Sequence, residues 1–474
     1  MSTMRALSEQ SGIQFGTSGV RGLVSGLTDE LCYAWGQAFL NSVATGAQRI
    51  AVGHDLRPSS PRICAAIMQS ISDAGCEPIF IGALPTPALA HYCITHSMPG
   101  IMVTGSHIPF DRNGIKFYRA DGEIGKDDEQ AILNASVNVP ARLSPAALPT
   151  VDPAALHAYV QRYVQFFGST ALTGKRIAVY EHSSVARDVL RTILEGMGAQ
   201  VLSLGRTDTF VPIDTEAVRA EDVQQAAAWA AEHTFDALVS TDGDADRPLI
   251  GDENGVWMRG DVVGILCAQA LGADVVVTPV SSNTAVEKCG SFKQVVRTRI
   301  GSPYVIEGME QAAGSIICGY EANGGFLLGS RVAQNSVQLT QLPTRDSVLP
   351  MLALLVQSAK HGVPMSALSA GLPQRFTASD RIQNVPTDWS KQLLAKLTQD
   401  AASVASLMAP DAGNMVGQDE TDGLRITFAN SDIVHLRPSG NAPELRCYAE
   451  SESAGRAKIL CDACLARVSK RLAG

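Results

Sequence analysis

The sequence predicts an α/β protein with three similar domains, each built on a mixed or parallel sheet, followed by a C-terminal α+β domain. In the first part, strand-like runs ("RIAVGHD", "EPIFIGA", "PGIMVTG") surround a helix-like segment from Pro58 to Ala74. This rhythm restarts at "KRIAVYEHSS" and again at "ADVVVTPVSS". Alternation of this kind is typical of βαβ units with helices on both faces of a sheet. We therefore expect ligands beyond the carboxyl ends of the strands.

The domain boundaries are predicted from composition. A stretch rich in proline and alanine, Ser144–Leu156, ends the first unit, and Leu372-Pro373 ends the third. The predicted domains are 1–150, 151–258, 259–372 and 373–474. In the last domain we expect a helical stretch over Trp389–Leu407, strand pairs in "GLRITFAN" and "SDIVHLRPSGNAPELRCYAE", and a terminal helix over Ser453–Leu472.

Composition indicates an ordinary globular chain. Of the 474 residues, 45% are hydrophobic and 18% are charged, which argues against disorder. No apolar run approaches the roughly 18 residues of a spanning helix, and no apolar signal core is present, so we expect a cytoplasmic protein without a membrane partner. A net charge of −9 argues against nucleic acid as a partner. The ten cysteines are scattered, apart from Cys461 and Cys464, and are expected to be reduced thiols.

The acidic segment "STDGDADRPLI" is the strongest local motif. Its aspartates alternate, so one loop can aim three carboxylates (Asp242, Asp244 and Asp246) at one point, where a divalent cation would relieve their repulsion. Oxygen ligands favour Mg²⁺ or Ca²⁺. An EF-hand loop would end at Glu253, but it requires glycine where Arg247 stands, and a solvated acidic turn is the remaining alternative.

Several other loops carry polar residues that suit an anionic ligand. "TGSHIPFDRNGIKFY" contains Ser106, His107 and Lys116, and it lacks the G-x-S-x-G elbow of a serine hydrolase. "QFGTSGVRG" is rich in glycine and hydroxyl groups, which favour backbone contacts to an anion. The remaining candidates are Arg21 in that loop, Glu321 and Asn323 in "GYEANGGF", and Arg437, Ser439, Gly440 and Asn441 in "RPSGNAPELR". The last three of these loops, each taken alone, are more typical of a simple turn.

Six motifs in order resemble the α-D-phosphohexomutase superfamily over nearly the whole chain. They are "FGTSGVRG", "GHDLRPSS", "TGSHIPFDRNGIKFY", "DGDADR", "GYEANGGF" and "RPSGNAPELRCY". The resemblance implies four domains around a central cleft and a phosphoserine, Ser106, which both donates and accepts the phosphoryl group. It further implies a Mg²⁺ site formed by Ser106 and the three aspartates.

The resemblance also implies roles for the remaining candidates. The reacting end would be lined by Arg21, His107, Lys116 and Arg247, with Lys116 a candidate for proton transfer. Sugar hydroxyls would contact Glu321 and Asn323, near a specificity loop with Thr298 and Gly301. The non-reacting phosphate would bind Arg437, Ser439, Gly440 and Asn441.

Some positions depart from the family pattern. Gly105 and Ile108 stand where T-A-S-H-N-P is common, and Asn323 and Gly325 replace the serine and histidine of G-E-x-S-G-H. Asn441-Ala442 replaces a frequent Thr-Glu. These departures weaken any transfer of sugar preference from the family.

The resulting prediction is a Mg²⁺-dependent phosphohexomutase that acts through a hexose 1,6-bisphosphate, which also serves as activator. Phosphomannomutase is the preferred reading, and phosphoglucomutase and phosphoglucosamine mutase are alternatives. A sugar-phosphate phosphatase and a non-catalytic phosphosugar-binding protein are further alternatives. The expected partner is a hexose phosphate, and the expected state is a monomer or homodimer.

Overall fold

The computed structural model describes residues 2–16, 19–140, 143–334, 336–439 and 443–473. They fold into three α/β units that share one sheet topology, followed by an α+β unit. In each α/β unit a first strand lies between two parallel neighbours, and the third strand turns back into an antiparallel fourth strand. This threefold recurrence confirms the internal repeat that the sequence rhythm predicts.

The first unit is built on a seven-stranded sheet in the order β2-β3-β7-β6-β4-β5, with β8 paired to β7. Its strands are β1 (Ser2–Thr3), β2 (Gln14–Phe15), β3 (Val20–Leu23), β4 (Arg49–His54), β5 (Glu77–Ala83), β6 (Gly100–Val103), β7 (Arg112–Arg119), β8 (Gly122–Glu123) and β9 (Ser136–Val137). Its helices are α1 (Met4–Ser11), α2 (Asp29–Ser42), α3 (Ser60–Asp73), α4 (Thr86–His96) and α5 (Lys126–Asn134). Only β4, β5 and β6 are parallel, so the sheet is mixed.

The second unit has a four-stranded sheet in the order β11-β10-β12-β13. Its elements are α6 (Ala154–Phe167), β10 (Arg176–Tyr180), α7 (Arg187–Gly196), β11 (Gln200–Leu204), α8 (Ala220–Glu232), β12 (Ala237–Thr241) and β13 (Pro248–Gly251). Strands β10 and β12 are runs of small and branched apolar residues, because both faces of a central strand are covered.

The third unit repeats this arrangement in the order β15-β14-β16-β17-β20, with β18 and β19 as a separate hairpin. Its strands are β14 (Val275–Pro279), β15 (Gln294–Thr298), β16 (Ile317–Tyr320), β17 (Phe326–Leu328), β18 (Val332–Gln334), β19 (Val337–Leu339) and β20 (Leu342–Asp346). Its helices are α9 (Gly260–Ala270), α10 (Ala285–Lys288), α11 (Ser302–Gln311) and α12 (Val348–His361), and a 3₁₀ turn follows at Met365–Ala367.

The fourth unit is an antiparallel sheet in the order β21-β25-β24-β23-β22, covered by helices. Its elements are β21 (Phe376–Gln383), α13 (Thr387–Thr398), α14 (Ala401–Met408), β22 (Met415–Asp419), β23 (Leu424–Phe428), β24 (Ile433–Pro438), β25 (Glu444–Ser451) and α15 (Ala454–Ala473). The helical stretch predicted over Trp389–Leu407 is formed by two helices, α13 and α14. The helical conformation is interrupted at Gln399 and Asp400. The Asp400 carbonyl then accepts a hydrogen bond from the Val404 amide, and the second helix begins there.

The apolar cores show which units are joined. One continuous core extends from Ala51 to Leu372 and includes side chains of all three α/β units. The fourth unit packs its own core, from Val385 to Val468. Its contacts to the third unit include polar ones, such as the Thr284 amide donating to Glu450 Oε2 at 3.0 Å. None of the helices in the described ranges has the length and apolarity needed to cross a membrane.

Candidate active site

Three polar loops occupy equivalent places in the three repeats. Each follows the third strand of its unit and leads into the antiparallel fourth strand: the Ser106 loop after β6, the aspartate loop after β12, and the Glu321 loop after β16. Contacts between the units then join these loops. Gly243 is so close to the Ser106 carbonyl that a Cβ on it would lie 2.8 Å from that oxygen. The repeat therefore places one polar loop of each unit at a common site.

Ser106 is held in a conformation that few side chains adopt. Its φ is 53°, and the residue is 1% exposed. Its Oγ donates to Asp242 Oδ2 at 2.6 Å and lies 3.3 Å from His107 Nδ1. A serine in the left-handed region persists only where its surroundings fix it, and such residues cluster at functional sites. The loop thus points one hydroxyl directly at the aspartate cluster.

The backbone of the Ser106 loop is fixed by Asp55, which follows β4. Its Oδ2 accepts from Thr104 Oγ1 at 2.9 Å and from the Gly105 amide at 3.1 Å. The Thr104 hydroxyl in turn accepts from the Ser106 amide at 2.8 Å. A buried carboxylate therefore satisfies the backbone donors that a tight loop leaves unpaired.

Arg57 lies beneath the same loop and is 1% exposed. Its guanidinium donates to the carbonyls of Ser106 (3.0 Å), Ile108 (2.6 Å), Pro109 (2.8 Å) and Arg112 (2.9 Å). Phe210 of the second unit covers it, with Cζ 4.0 Å from the ring centroid. Arg57 therefore fixes the Ser106 loop from below.

The three aspartates are almost fully buried, and oxygen atoms from all three lie within 4.8 Å of one another. Among the described residues, Oδ1 of Asp244 and Oδ1 of Asp246 accept no hydrogen bond. Buried carboxylate oxygens without partners are costly unless a cation binds them. The donor set, all oxygen, therefore fits a hard divalent cation such as Mg²⁺.

The EF-hand alternative is wrong. Glu253, which would complete such a loop, bonds instead to the amide and hydroxyl of Ser366. The segment after Asp246 continues as a strand from Pro248, which an EF-hand does not allow. The aspartates belong to a strand-to-strand loop of the second unit.

Lys116 lies on strand β7 and not, as the motif predicts, on the Ser106 loop. Its register partner is Met102 on β6, and this pairing aims its ammonium at the cluster. Nζ lies 2.7 Å from Asp244 Oδ2 and 2.7 Å from Asp246 Oδ2. Burial lowers the pKa of Lys116, but the two carboxylates outweigh it and hold the pKa above its usual value. Lys116 is therefore an ammonium ion at neutral pH.

The aspartates differ in protonation because their partners differ. Burial, together with Asp244 and Asp246, raises the pKa of Asp242 well above its ordinary range. Burial also opposes ionisation of Asp244 and Asp246. Lys116 and Thr86 outweigh it at Asp244, and Arg345 and Lys116 outweigh it at Asp246, so the pKa of both carboxyls is lowered. Without a metal ion, Asp242 is therefore the carboxyl that most readily holds a proton, and the negative charge rests on Asp244 and Asp246.

Arginines gather around this acidic cluster. Burial and the nearby charges of Arg247 and Arg345 lower the pKa of Arg21 to about 10. Arg247 Nε lies 3.6 Å from Asp246 Oδ1. Burial, with Arg247 and Arg21, lowers the pKa of His107 well below its usual value, so its imidazole is neutral at pH 7. The site therefore concentrates positive charge that suits a phosphoryl group.

The Glu321 loop reaches the aspartate cluster through Arg345, on strand β20. Arg345 Nη2 donates to Asp246 Oδ2 at 2.7 Å, and Nη1 donates to Glu321 Oε2 at 3.1 Å. Asn323 shapes its own turn, since its Oδ1 accepts from the Gly325 amide at 2.9 Å. Gly325 leaves room for Arg345, because a Cβ there would lie 2.7 Å from Arg345 Cδ.

The fourth unit brings Arg437 to the loop that contains Thr298 and Gly301. The Asp422 carboxylate connects Arg437 to this loop. Its Oδ2 lies 2.7 Å from Arg437 Nε and accepts a hydrogen bond from the Ile300 amide at 3.0 Å. Gly301 has φ 133° at the start of α11, a conformation that glycine readily adopts. Ser439 is buried at the end of β24. The predicted ligands Gly440 and Asn441 lie outside the described residues.

Sequence reasoning assigned no role to four side chains of this site. Asp55 and Arg57 lie in "GHDLRPSS", a motif that was recognised without roles for its residues. Arg345 and Asp422 occur in unremarkable segments, and only their burial marks them. Strand β20 reads "LPTRD", so no local pattern in the sequence singles out Arg345.

A serine pointed at a carboxylate cluster and surrounded by cations defines a phosphoryl-transfer enzyme. Four models of phosphoglucomutase/phosphomannomutase domains match the chain in order: alpha/beta/alpha domain I over residues 12–140, domain II over 157–255, domain III over 259–376, and the C-terminal domain over 378–466. The chain belongs to the phosphoglucomutase/phosphomannomutase family, which confirms the superfamily expected from the motifs.

Relatives and solved structures agree with this family. A phosphomannomutase of Salmonella muenchen is 45% identical over 468 residues, covering 98% of this chain and 97% of its own length. A phosphomannomutase of Sinorhizobium fredii is 45% identical, covering 95% and 97%. The crystal structure of a phosphoglucomutase/phosphomannomutase family protein from Burkholderia thailandensis superposes with a TM-score of 0.75 at 19% identity, covering 96% and 97%. That structure supports the fold alone.

Proposed function

We propose that this chain is a phosphomannomutase that interconverts mannose 1-phosphate and mannose 6-phosphate through a phosphoserine at Ser106. The observation that carries the proposal is the 2.6 Å contact of Ser106 Oγ with Asp242, within a cluster of three buried carboxylates. The two relatives at 45% identity, both phosphomannomutases, support mannose as the sugar.

The three aspartates and the Ser106 side chain would hold Mg²⁺. When bound, the ion neutralises negative charge on the phosphoryl oxygens during transfer. Lys116 already contacts two of these carboxylates, so it would share them with the ion. The proposed site residues for the reacting end are Ser106, His107, Lys116, Arg247 and Arg21.

In the first transfer, the hydroxyl at C6 of the sugar attacks the phosphorus of phosphoserine 106. A new O6–P bond forms, the Ser106 Oγ–P bond breaks, and the hydroxyl proton passes to a side chain of the site. Arg247 and Arg21 hold the equatorial oxygens. Lys116 enters the step as an ammonium ion, so it would donate a proton to Ser106 Oγ as the Oγ–P bond breaks, and the amine that remains would take the proton of the attacking hydroxyl. Such a reaction depends mainly on positioning and on charge neutralisation.

The product of this step is a hexose 1,6-bisphosphate, which then binds the opposite way round. Its phosphate at C1 returns to Ser106 Oγ, O1 takes a proton, and the 6-phosphate is released. Added hexose 1,6-bisphosphate would act as activator by phosphorylating Ser106. Glu321, Asn323, Thr298 and Gly301 are the proposed sugar contacts, and Arg437, Ser439, Gly440 and Asn441 are the proposed contacts of the non-reacting phosphate.

Domain movement would protect the phosphoserine from water. The fourth unit has its own core and contacts the others in part through polar side chains, so it can close as a body over the bound sugar. We retain 1–150, 151–258, 259–372 and 373–474 as the proposed domains. The proposed compartment is the cytoplasm, where thiols stay reduced, since all ten cysteines are free thiols. The proposed oligomeric state is a monomer or homodimer.

The test is phosphorus NMR of the purified protein with Mg²⁺, a trace of hexose 1,6-bisphosphate, and mannose, glucose or glucosamine 1-phosphate in separate tubes. We expect a 6-phosphate signal that grows fastest with mannose. Faster conversion of glucose or glucosamine 1-phosphate would reassign the sugar, and release of inorganic phosphate alone would indicate a phosphatase. A Ser106→Ala variant run in parallel controls for a contaminating mutase.

A further inference from the structure

A second basic cavity lies between the third and fourth units. Its volume is about 340 Å³, and its lining includes four cationic side chains and two carboxylates: Arg297, Arg375, Arg425, Lys288, Glu287 and Asp419, with the hydroxyls of Thr427 and Ser431. None of these residues belongs to the proposed active site. Because the protein is acidic as a whole, such a local group of cations requires its own explanation.

Arg297 supplies charge to this cavity but no free donor. Its Nε and Nη2 donate to the two oxygens of Glu287 at 2.7 and 2.8 Å. Its remaining N–H groups reach three backbone carbonyls in the segment from Pro279 to Asn283. Arg297 is therefore a structural residue of the third unit.

Arg375 differs, because part of its guanidinium has no acceptor. It lies in the linker before β21 and is 6% exposed. Its Nε donates to Glu450 Oε1 at 2.5 Å, and its Nη2 donates to the Ser431 carbonyl at 2.6 Å. Its Nη1 is buried and finds no hydrogen-bond partner among the described residues. An orphaned, buried N–H of a charged group indicates a missing acceptor.

Arg425 is the second cation without a partner. It stands opposite Asp419 in the β22–β23 register, yet no carboxylate of the described chain lies within 4.0 Å of its guanidinium. Asp419 instead accepts from the Thr421 amide at 2.8 Å. Burial and then the neighbouring charge of Arg297 lower the pKa of Arg425, and they outweigh the opposite effect of Glu450, Asp419 and Glu287.

We propose that this cavity binds the phosphate group of a small phosphorylated metabolite. The phosphate would accept from Arg375 Nη1 and from the Arg425 guanidinium, with the Thr427 and Ser431 hydroxyls as further donors and Lys288 nearby. A planar guanidinium suits a phosphate oxygen pair. The volume exceeds that of a bare phosphate, which leaves room for an organic body.

A ligand in this cavity would connect both sides of the interdomain junction. Arg297 and Lys288 belong to the third unit, Arg375 to the linker, and Arg425 to the fourth unit. Binding would therefore favour one angle between the units and alter turnover without competing for the active site. This kinetic consequence rests on the proposed function, whereas the binding itself does not.

Diffraction with selenate, a phosphate-shaped anion with an anomalous signal, tests the site directly. We expect a peak between Arg375 and Arg425 in wild-type crystals and none in Arg425→Gln crystals. Thr427→Val, which keeps every positive charge, should weaken the peak, and Arg381→Gln, outside the cavity, should leave it unchanged. Absence of the peak in wild-type crystals would overturn the proposal, whatever the mutase assay shows.

Inhibition kinetics test binding in solution. Inorganic phosphate should inhibit wild type in two ways: competitively at the active site, and by lowering kcat through the second site. Arg425→Gln should lose the effect on kcat, with its inhibition constant weakened about tenfold or more, while competition persists. Glycerol 3-phosphate in a parallel series distinguishes an ester from the free ion. The same pattern in wild type and Arg425→Gln would reject the site, even if a selenate peak is present.

Discussion

Gly105 lies directly above the guanidinium of Arg57: a Cβ on this glycine would lie 2.5 Å from both Cζ and Nε of Arg57. In the family pattern, alanine is common at the position of Gly105. Arg57 fills the space that a methyl group would need, and from there it donates to four loop carbonyls, Ser106 included.

Gly105→Ala is therefore expected to reduce turnover. The new methyl group would displace Arg57 or lift the Ser106 loop, and a shift of about 1 Å at a reacting group costs on the order of a hundredfold in rate. Steady-state kcat measures the effect. Gly455→Ala, where a Cβ meets nothing within 4 Å, is the matched control and should retain full activity.

Ser106→Ala is expected to abolish mutase turnover and leave the fold intact. The side chain is small, and the loop backbone stays bonded to Asp55 and Arg57. Intact-mass measurement after incubation with hexose 1,6-bisphosphate should show one added phosphoryl group on wild type and none on the variant. Phosphorylation of the variant, or full activity in it, would place the nucleophile elsewhere.

Arg345→Gln is expected to weaken the sugar site. The change removes the bridge between Asp246 and Glu321, and losing a hydrogen bond to a charged group typically costs about 1.5–3 kcal/mol, or roughly ten- to a hundredfold in kcat/KM. We expect the change mainly in KM, because Glu321 is the proposed sugar contact. The exposed Arg331 offers a control, Arg331→Gln, which should behave as wild type.

Gly325→Ala should reproduce the Arg345→Gln defect, because its methyl group would displace the Arg345 side chain. Its Cβ would lie 2.7 Å from Arg345 Cδ and would push the guanidinium out of its bridge. The double variant should be no worse than either single variant, since both remove one interaction. Additive losses would show that Gly325 acts independently of Arg345.

Strand ends were the part of the site that the sequence could predict. Buried apolar runs locate β6, β12 and β16, and the polar residues after them, Ser106, Asp242 and Glu321, must then lie at one edge of each sheet. The residue types in "TGSHIPFDRNGIKFY" do not show where the Ser106 loop ends and strand β7 begins. The prediction that Lys116 lies on the loop is therefore wrong. The sequence "RNGIKFYR" alternates poorly because both of its faces are buried.

Long-range partners were the part that it could not predict. Arg345 is 99 positions from Asp246, and Asp422 is 122 positions from Ile300. Neither segment carries a local pattern that specifies its partner, because contacts between units depend on how whole sheets pack. The interruption between α13 and α14 is a local feature that the apolar spacing hides. That spacing continues through Trp389–Leu407, although the Asp400 carbonyl begins a new helix within it.

Lys116→Met is expected to make stability depend on Mg²⁺. Lys116 contacts two buried carboxylates at 2.7 Å, and removing one partner of a buried ion pair costs about 3–5 kcal/mol. Added Mg²⁺ should restore much of the loss by supplying positive charge to the same oxygens. Thermal unfolding in EDTA and in Mg²⁺ measures both effects, and Lys458→Met, at an exposed pair, should change neither curve. Equal melting of Lys116→Met in both buffers would argue against a cation among the aspartates.

His435→Gln is expected to make the fourth unit less sensitive to acid. Burial lowers the pKa of His435 to about 4, against an ordinary value of roughly 6.5, so the unfolded chain binds the extra proton between these values. The neutral ring thus contributes stability that is complete above about pH 6.5 and is lost as the pH falls toward 4. Between pH 7 and 5 this linkage amounts to about 2 kcal/mol.

Glutamine keeps a donor for the Asp422 carbonyl, which His435 Nε2 contacts at 2.6 Å, but it does not titrate. Urea unfolding at the two pH values should therefore show a smaller loss for His435→Gln than for wild type or for His157→Gln, which changes an exposed histidine. Equal losses in all three proteins would mean that His435 remains neutral in the unfolded chain or is already protonated in the folded one.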